Sequence, residues 1–359
     1  MTDLNNKFCS MPWDYLELSH ADSETISSYA CCPMWTNNYS FGNLNSNNKN
    51  FESIWNSEPA KNFRKSILDG TFKYCNKNTC PYIVSNTLPS KDDVLSGKHG
   101  DDHKNIIEKN LLTSNYPKYI SLSYDVSCNL SCPSCRKQIK FLNEKNNSEE
   151  YKFKQSLQDQ LIDYLYKCKY PVLVTITGSG DPFASKLFWE FLQKLDGNLN
   201  KNISITLQTN GILFNRENWK KLHKLHNNVI NAIISLDAGC EETYNYVRRG
   251  GNWKTLMENL KFVSELHYEN KLGYVRVDCV VQKKNYKELD KFVDIAKKYN
   301  FLCFLQKLIK ITDTYTEEEF KLHDICAESH PEHEEFIKII NQDFNYDKLQ
   351  FGNLSQFRK

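Results

Sequence analysis

Three cysteines with the spacing Cys128-x3-Cys132-x2-Cys135 fall within eight residues, directly after the apolar, strand-like stretch from Tyr119 to Tyr124. Thiolates spaced this way on one loop can hold three irons of a cubane iron–sulfur cluster and leave the fourth iron without a protein ligand. That vacancy is a place for a small molecule. The alternative is a structural zinc, although zinc closes a sphere of four ligands and is usually held by two short Cys pairs. A second group of thiols, Cys9, Cys31, Cys32, Cys75 and Cys80, lies nearer the N-terminus. Cys75-x4-Cys80 is a short pair, and Cys9 and the Cys31-Cys32 pair must fold back to join it. Zinc and a four-thiolate cluster both suit that pattern.

Further candidates stand at the ends of apolar runs. Thr177-Gly178-Ser179-Gly180-Asp181-Pro182 is a glycine-bracketed turn that lets backbone approach a ligand, or simply joins a strand to a helix. In Ser235-Leu236-Asp237 the alternation of a strand puts a hydroxyl and a carboxylate on one face. Such a pair can bind the two hydroxyls of a ribose, or cap the following helix in solvent. Arg248 and Arg249 supply guanidinium groups, one of which can fork onto a carboxylate.

These groups need a frame. From Lys118 onward short β-branched runs alternate with amphipathic segments, the mark of repeated βα units around a parallel sheet. The pattern predicts six strands: Tyr119–Tyr124, Val172–Thr177, Ile203–Gln208, Val229–Ser235, Tyr274–Val281 and Phe301–Leu305. Helices are expected at Asp159–Tyr166, Phe188–Leu195, Trp253–Leu266 and Tyr286–Lys298, where apolar residues recur three and four positions apart. Six units are too few to close an eight-stranded barrel, so the expected fold is α/β, a partial (β/α)6 TIM-like barrel. Such a barrel carries its chemistry in loops at the carboxyl ends of its strands, where the three-cysteine loop sits. The expected division is a small cysteine-rich domain at 1–90, a linker at 91–117, the barrel at 118–310 and a helical tail at 311–359. The linker is rich in Lys, Asp, His and Ser, and His99 and His103 read as solvated rather than metal-binding. The tail offers Phe336, Ile337, Ile339 and Ile340 at helical spacing.

Composition narrows the field. With 46 basic against 44 acidic residues the formal charge is +2, which argues against bulk electrostatic binding of nucleic acid. No apolar run reaches the length of a membrane span, and the first residues lack the apolar core of a signal peptide, so a cytoplasmic location is expected. There, 13 cysteines suit metal ligands, catalytic groups or buried thiols better than disulfides. Cys279 and Cys303 lie inside apolar strands and read as small core residues, while Cys168 has no assigned role. Cys326, near His323, His330 and His333, and Cys240 are candidate hydrogen-atom donors to a substrate radical, Cys326 the better of the two.

The run Cys128-Asn129-Leu130-Ser131-Cys132-Pro133-Ser134-Cys135 resembles the cluster loop of the radical S-adenosylmethionine (radical SAM) superfamily. The turn Gly178–Pro182 is similar to that family's Gly-Gly-Glu-Pro element, with Ser179 and Asp181 where Gly and Glu are commoner. Ile233 to Ala238, with Tyr244, Arg248, Arg249, Gly250 and Trp253, and the segment Val280 to Leu289, resemble its fourth and fifth strand exits. One departure is Ser134, where an aromatic often packs on the adenine. The resemblance implies that the open iron binds the amino and carboxylate groups of S-adenosylmethionine, and that reduction releases a 5'-deoxyadenosyl radical. Gly178, Ser179, Gly180, Asp181, Pro182, Ser235, Asp237, Arg248 and Arg249 are then the cofactor-binding residues. Phe41-Gly42-Asn43-Leu44, Ser53-Ile54-Trp55, Phe63-Arg64 and Gly70 before Cys75 resemble the auxiliary cluster domain SPASM or its shortened form, twitch, here placed before the barrel. This implies one auxiliary 4Fe–4S cluster on Cys9, Cys31, Cys75 and Cys80, with Cys32 the alternative to Cys31. The implied substrate is a ribosomally made peptide or a sugar-like small molecule, and the implied partner a reductant such as flavodoxin or ferredoxin. The competing readings are an iron–sulfur carrier or sensor without turnover, and a zinc-ribbon nucleic-acid module.

Overall fold

The computed structural model describes residues 3–22, 24–48, 50–142, 148–310 and 314–358. Among these described residues ten strands form: β1 Tyr15–His20, β2 Ile26–Tyr29, β3 Gly42–Leu44, β4 Tyr119–Ser123, β5 Val172–Ile176, β6 Ile203–Thr209, β7 Val229–Ser235, β8 Tyr274–Val281, β9 Leu302–Lys307 and β10 Leu349–Gln350. The six strands read from the sequence are all present, as β4 to β9, with small shifts at their ends. The chain divides into two compact units.

One unit comprises Met1–Asp125, Lys145–Thr175 and Leu199–Ser204. Its strands run in the order β5-β4-β1-β2-β3. β1 pairs parallel with β4, from Tyr15 opposite Tyr119 to Ser19 opposite Ser123, while β1–β2 and β2–β3 are antiparallel. β1 was not among the strands read from the sequence, although Tyr15-Leu16-Glu17-Leu18 alternates with period two, and Leu16 and Leu18 are fully buried. The helix Glu58–Leu68 is N-capped by Ser57, whose hydroxyl accepts from Ala60 N at 3.2 Å. From that helix Arg64, fully buried, donates to the carbonyls of Pro12, Trp55 and Leu112 and to Asn56 Oδ1, with its guanidinium 4.7 Å from the Trp55 ring centroid. One side chain thus ties four separate stretches together.

The stretch expected as a linker is folded instead. It forms the helices Lys91–Leu95 and Asp101–Glu108, which bury Val94 and Ile106. His103 on the second helix bonds Asp14 Oδ2 at 2.8 Å, and Lys118 reaches Asp14 Oδ1 at 3.2 Å. The helix Glu149–Lys167, capped by Ser148 on Tyr151 N, buries Leu157, Leu161 and Leu165 at helical spacing.

The other unit comprises Val126–Glu144, Ile176–Asn198 and Ile205–Lys359. Its strands run β10-β9-β8-β7-β6, every adjacent pair parallel. β8 buries Val275, Val277, Cys279 and Val281, which strand alternation places on one face. Three helices of this unit begin on a side-chain cap as follows: Ser185 on Phe188 N, Asn252 on Thr255 N, and Thr316 with Glu319 in a reciprocal capping box. The tail does form helices, Glu317–His323 and His333–Ile340, and buries Phe336 and Ile340. It then ends differently from expectation, as β10 returns to pair with β9. Residues 311–313, where the tail was expected to begin, lie outside the described residues.

Candidate functional site

The three-cysteine loop folds back on itself. Cys128 N donates to Lys140 O at 2.8 Å, forming an isolated bridge, and Cys135 N and Arg136 N both donate to Cys132 O at 2.9 Å. Cys128 and Cys132 are buried and Cys135 is exposed. Each sulfur receives a donor. Leu130 N lies 3.4 Å and Asn210 Nδ2 3.7 Å from Cys128 Sγ, Arg248 Nη1 lies 3.7 Å from Cys132 Sγ, and Arg136 Nη2 lies 3.4 Å from Cys135 Sγ. Burial pushes the Cys128 thiol up to about 11 and raises that of Cys132, the latter against the pull of Arg248. Donors aimed at sulfur favour electron-rich sulfur, as thiolate ligands of a cluster present.

The turn after β5 is locked to this loop. Thr177, a β-branched residue, sits at φ 90°, and its hydroxyl accepts from Ser179 N at 3.0 Å and Gly180 N at 2.9 Å. Such a backbone costs about 1–3 kcal/mol and persists where its surroundings enforce it. Arg136 enforces part of it, donating to Ser179 O and to Val126 O. Asp181 is fully buried and accepts four bonds: Phe183 N at 3.0 Å and Ala184 N at 3.2 Å on one oxygen, Thr209 Oγ1 at 2.7 Å and Asn210 N at 2.9 Å on the other. Burial raises its pKa above the ordinary range, yet three of those partners are backbone N–H groups that can only donate. The site is therefore built for the carboxylate, and Asp181 ties the turn after β5 to the turn after β6. That second turn holds Gly211 at φ 82°, pinned by Asn259 Nδ2 on Gly211 O at 2.9 Å.

Asp237 and Arg248 pair with each other. Asp237, 2% exposed and at φ 60°, binds Arg248 Nη2 at 2.7 Å with one oxygen and accepts from Val280 N at 2.8 Å with the other. The guanidinium stays protonated beside the Asp237 charge, and the carboxylate that accepts from it is ionised. Arg248 Nε is buried without a partner. Arg249 instead braces the loop, with Nε 3.2 Å from Ser131 Oγ and Nη2 2.9 Å from Lys137 O. Ser235, the residue proposed to share a ribose with Asp237, is half-buried at the end of β7.

In the N-terminal unit, Cys9, Cys31, Cys75 and Cys80 line one small cavity, walled by Trp35, Phe63, Phe72 and Tyr82. Cys32 does not line it; it caps the turn Pro33–Trp35. Asn76 N on Trp35 O at 2.8 Å and Thr79 Oγ1 on Met34 O at 2.8 Å bring the two cysteine stretches together. Burial pushes Cys9 up to about 12 and Cys31 well above its usual value, and the crowded thiols raise one another. Four thiols in an apolar cavity fit a thiolate-held cluster, whose binding must displace those protons.

Cys326 stands after the helix Glu317–His323. It is buried, its N donates to Asp324 Oδ1 at 3.2 Å, and burial together with Asp324 pushes its thiol up to about 12. Cys240 donates from Sγ to Glu288 Oε2 at 3.0 Å. Sequence reasoning missed Arg136, and it read Thr177 and Asn210 as turn residues without a role toward the cysteines. Arg136 follows the third cysteine directly, the one adjacency that could have drawn attention to it.

The family model for the radical SAM superfamily matches residues 125–303, and that for the SPASM iron–sulfur cluster-binding domain matches residues 9–81. No curated protein matches. Among solved structures, SuiB of Streptococcus suis bound to S-adenosylmethionine is 18% identical, covering 72% of this chain and 55% of that one at a TM-score of 0.40. The protein anSMEcpe with bound AdoMet is 21% identical, covering 54% of this chain and 51% of that one at 0.37. BtrN in complex with AdoMet and 2-DOIA is 16% identical, covering 39% and 53% at 0.26. The chain spans about half the length of these structures.

Proposed function

The chain belongs to the radical SAM superfamily and carries a SPASM iron–sulfur domain, and from that premise we propose that it abstracts hydrogen from a peptide or a sugar-like small molecule. Its cofactors are S-adenosylmethionine, the 4Fe–4S cluster that binds it and an auxiliary 4Fe–4S cluster. When bound, the first cluster supplies the electron that cleaves S-adenosylmethionine to the 5'-deoxyadenosyl radical.

The observation that carries this reading is the set of donors at Cys128, Cys132 and Cys135, one or more on each sulfur. In the proposed roles these three thiolates hold the S-adenosylmethionine cluster. Leu130 N, Asn210, Arg248 and Arg136 steady it and tune its potential through the sulfurs. Asp181, Asp237 and Arg248 have their charged groups engaged with the protein, so they position the loops. The carbonyls of Gly178 and Gly180, the Pro182 turn and the Ser235 hydroxyl are what this chain offers to S-adenosylmethionine, with Ser179 and Arg249 fixing the backbone around it. Cys9, Cys31, Cys75 and Cys80 would hold the auxiliary cluster, which would supply an acceptor for an electron or a point of contact that orients the substrate. The exposure of Cys135 leaves the cluster edge within reach of a one-electron donor such as flavodoxin or ferredoxin.

The test is anaerobic reconstitution with iron and sulfide, then dithionite and S-adenosylmethionine. The protein should turn brown and form 5'-deoxyadenosine, and Cys132→Ala should form none. A fully loaded protein that makes no 5'-deoxyadenosine would be a carrier or sensor, and one that binds zinc without iron would overturn both readings.

A further inference from the structure

Beside the three-cysteine loop, in the same unit, an open cleft of about 400 Å³ is lined by Arg136 and Lys137 of the loop, by Tyr246 and Arg249 after β7, and by Tyr315 and His323 of the segment after β9. None of the three cysteines lines it, nor do Gly178, Ser235 or Asp237. It is therefore separate from the groups offered to S-adenosylmethionine, yet Tyr315 lies close enough to Cys132 and Arg249 to feel their charges. Every lining segment follows a strand's carboxyl end, where barrels of this class bind substrate.

The cleft is electropositive. Arg136 already has partners in Val126 O, Ser179 O and Cys135 Sγ. Arg249 commits Nε to Ser131 and Nη2 to Lys137 O, which leaves Nη1 for a ligand. Lys137 is exposed and forms no ion pair among the described residues. Among the described residues the acid in the lining is Glu319, which is turned back onto Thr316 N at 2.8 Å by its capping box.

Two buried groups lack partners. Tyr315 is 8% and His323 5% exposed, and among the described residues neither the Tyr315 hydroxyl nor His323 Nδ1 has a hydrogen-bond partner. Leaving such atoms unpaired is costly, and native proteins keep few of them. Their rings stack at 4.9 Å and 21°, and the Tyr246 ring lies 6.3 Å from that of His323. The result is an aromatic wall next to a cationic floor.

We propose that this cleft is a subsite for an anionic group of the substrate, a carboxylate or a phosphate, held by Lys137 and Arg249 Nη1 with the Tyr315 hydroxyl as a further donor. The aromatic wall takes the less polar part of the molecule adjoining that anion. The proposal rests on the radical SAM reading and narrows its substrate to molecules that carry an anion near the carbon attacked. An uncharged sugar would leave two cations and two buried polar atoms without partners.

The test is equilibrium dialysis of the cluster-loaded full chain against inorganic phosphate and, separately, N-acetylglutamate at low ionic strength. Saturable binding of one of them, at about one per chain, is expected, and the better probe tells phosphate from carboxylate. Lys137→Gln should weaken it by about 10-fold and Tyr315→Phe by about 3- to 10-fold, with iron content and circular dichroism confirming that both variants fold. No saturable binding of either probe up to about 10 mM, or binding that both substitutions leave unchanged, overturns the proposal. So does retention of a whole acidic protein in place of both small probes. Formation of 5'-deoxyadenosine by the same wild-type preparation reports on the enzyme reading separately. A preparation that forms it but binds neither probe defeats the subsite alone, and one that binds a probe but forms none defeats the enzyme reading.

Discussion

Single side chains here do work their types only half disclosed. Asp181, Asp237 and Arg248 stood out in the sequence as polar groups at strand exits, read as hands held out to a ligand. The fold spends them on one another and on backbone. Nothing local predicts this, because Asp237 meets Val280 N and Arg248, and Asp181 meets Thr209, only once distant strands are side by side. Arg248→Met should therefore destabilise the metal-free chain by about 3–5 kcal/mol, since it strands a buried carboxylate. Adding Asp237→Asn to it should recover part of that loss in urea unfolding; strictly additive losses would show that the pair is not coupled. The thiols separate in the same way. Cys31 and Cys32 are indistinguishable by spacing, but only Cys31 faces the cavity with Cys9, Cys75 and Cys80. Cys31→Ser should lower bound iron by about half, whereas Cys32→Ser should leave it intact, and the reverse result would move the ligand assignment to Cys32.

Elements were legible where the pattern was long. β4 to β9 follow from runs of β-branched residues and shift little at their ends, and helices follow from apolar spacing of three and four, although the one expected at Asp159–Tyr166 already starts at Glu149. The helix Asp101–Glu108 was not legible, because it is short and polar and buries only Ile106. Tertiary contacts hold it, chiefly His103 on Asp14. Burial raises the Asp14 carboxyl, but the hydrogen bond and charge of His103 and the charge of Lys118 outweigh it, so the folded pKa lies below the ordinary value. A carboxylate depressed in this way stabilises the fold above its unfolded pKa, and that contribution disappears as pH falls through the folded value. Asp14→Asn should accordingly cost about 1.5–3 kcal/mol near pH 7 and progressively less toward about pH 3. Faster amide exchange across residues 101–108 should accompany the loss. A cost that does not vary with pH would mean that packing, rather than charge, anchors the helix. The turn after β6 is constrained by shape instead. At Gly211 an added Cβ would lie 2.6 Å from Leu256 Cδ1 on a backbone at φ 82°, so Gly211→Ala should cost about 1–3 kcal/mol and loosen Asn210, a donor to Cys128. Iron release from the variant should be faster than from the wild type.

At the scale of the molecule, the cysteines sort by unit. Cys9, Cys31, Cys32, Cys75 and Cys80 belong to one compact unit, and Cys128, Cys132 and Cys135 to the other. Each unit also brings its own fixings. In the first, Arg64 gathers Pro12, Trp55, Asn56 and Leu112 around the helix that lends Phe63 to the thiol cavity. In the second, Asp181, Asn210, Arg136 and Arg248 clamp the loop. The boundary was not legible, since the sequence suggested a cut at the polar stretch 91–117, whereas β4 and the helix Glu149–Lys167 belong with the N-terminal residues. Separate fixings imply that each thiol set can be emptied without emptying the other. Changing Cys128, Cys132 and Cys135 together to Ala should leave about four irons per chain and no 5'-deoxyadenosine. Changing Cys9, Cys75 and Cys80 to Ala should also leave about four irons, now with S-adenosylmethionine still cleaved in the absence of productive substrate turnover. Iron and sulfide analysis with low-temperature EPR of the two variants distinguishes the clusters. If either triple change strips all the iron, the two sites depend on each other for assembly, and the independence inferred from their separate fixings fails.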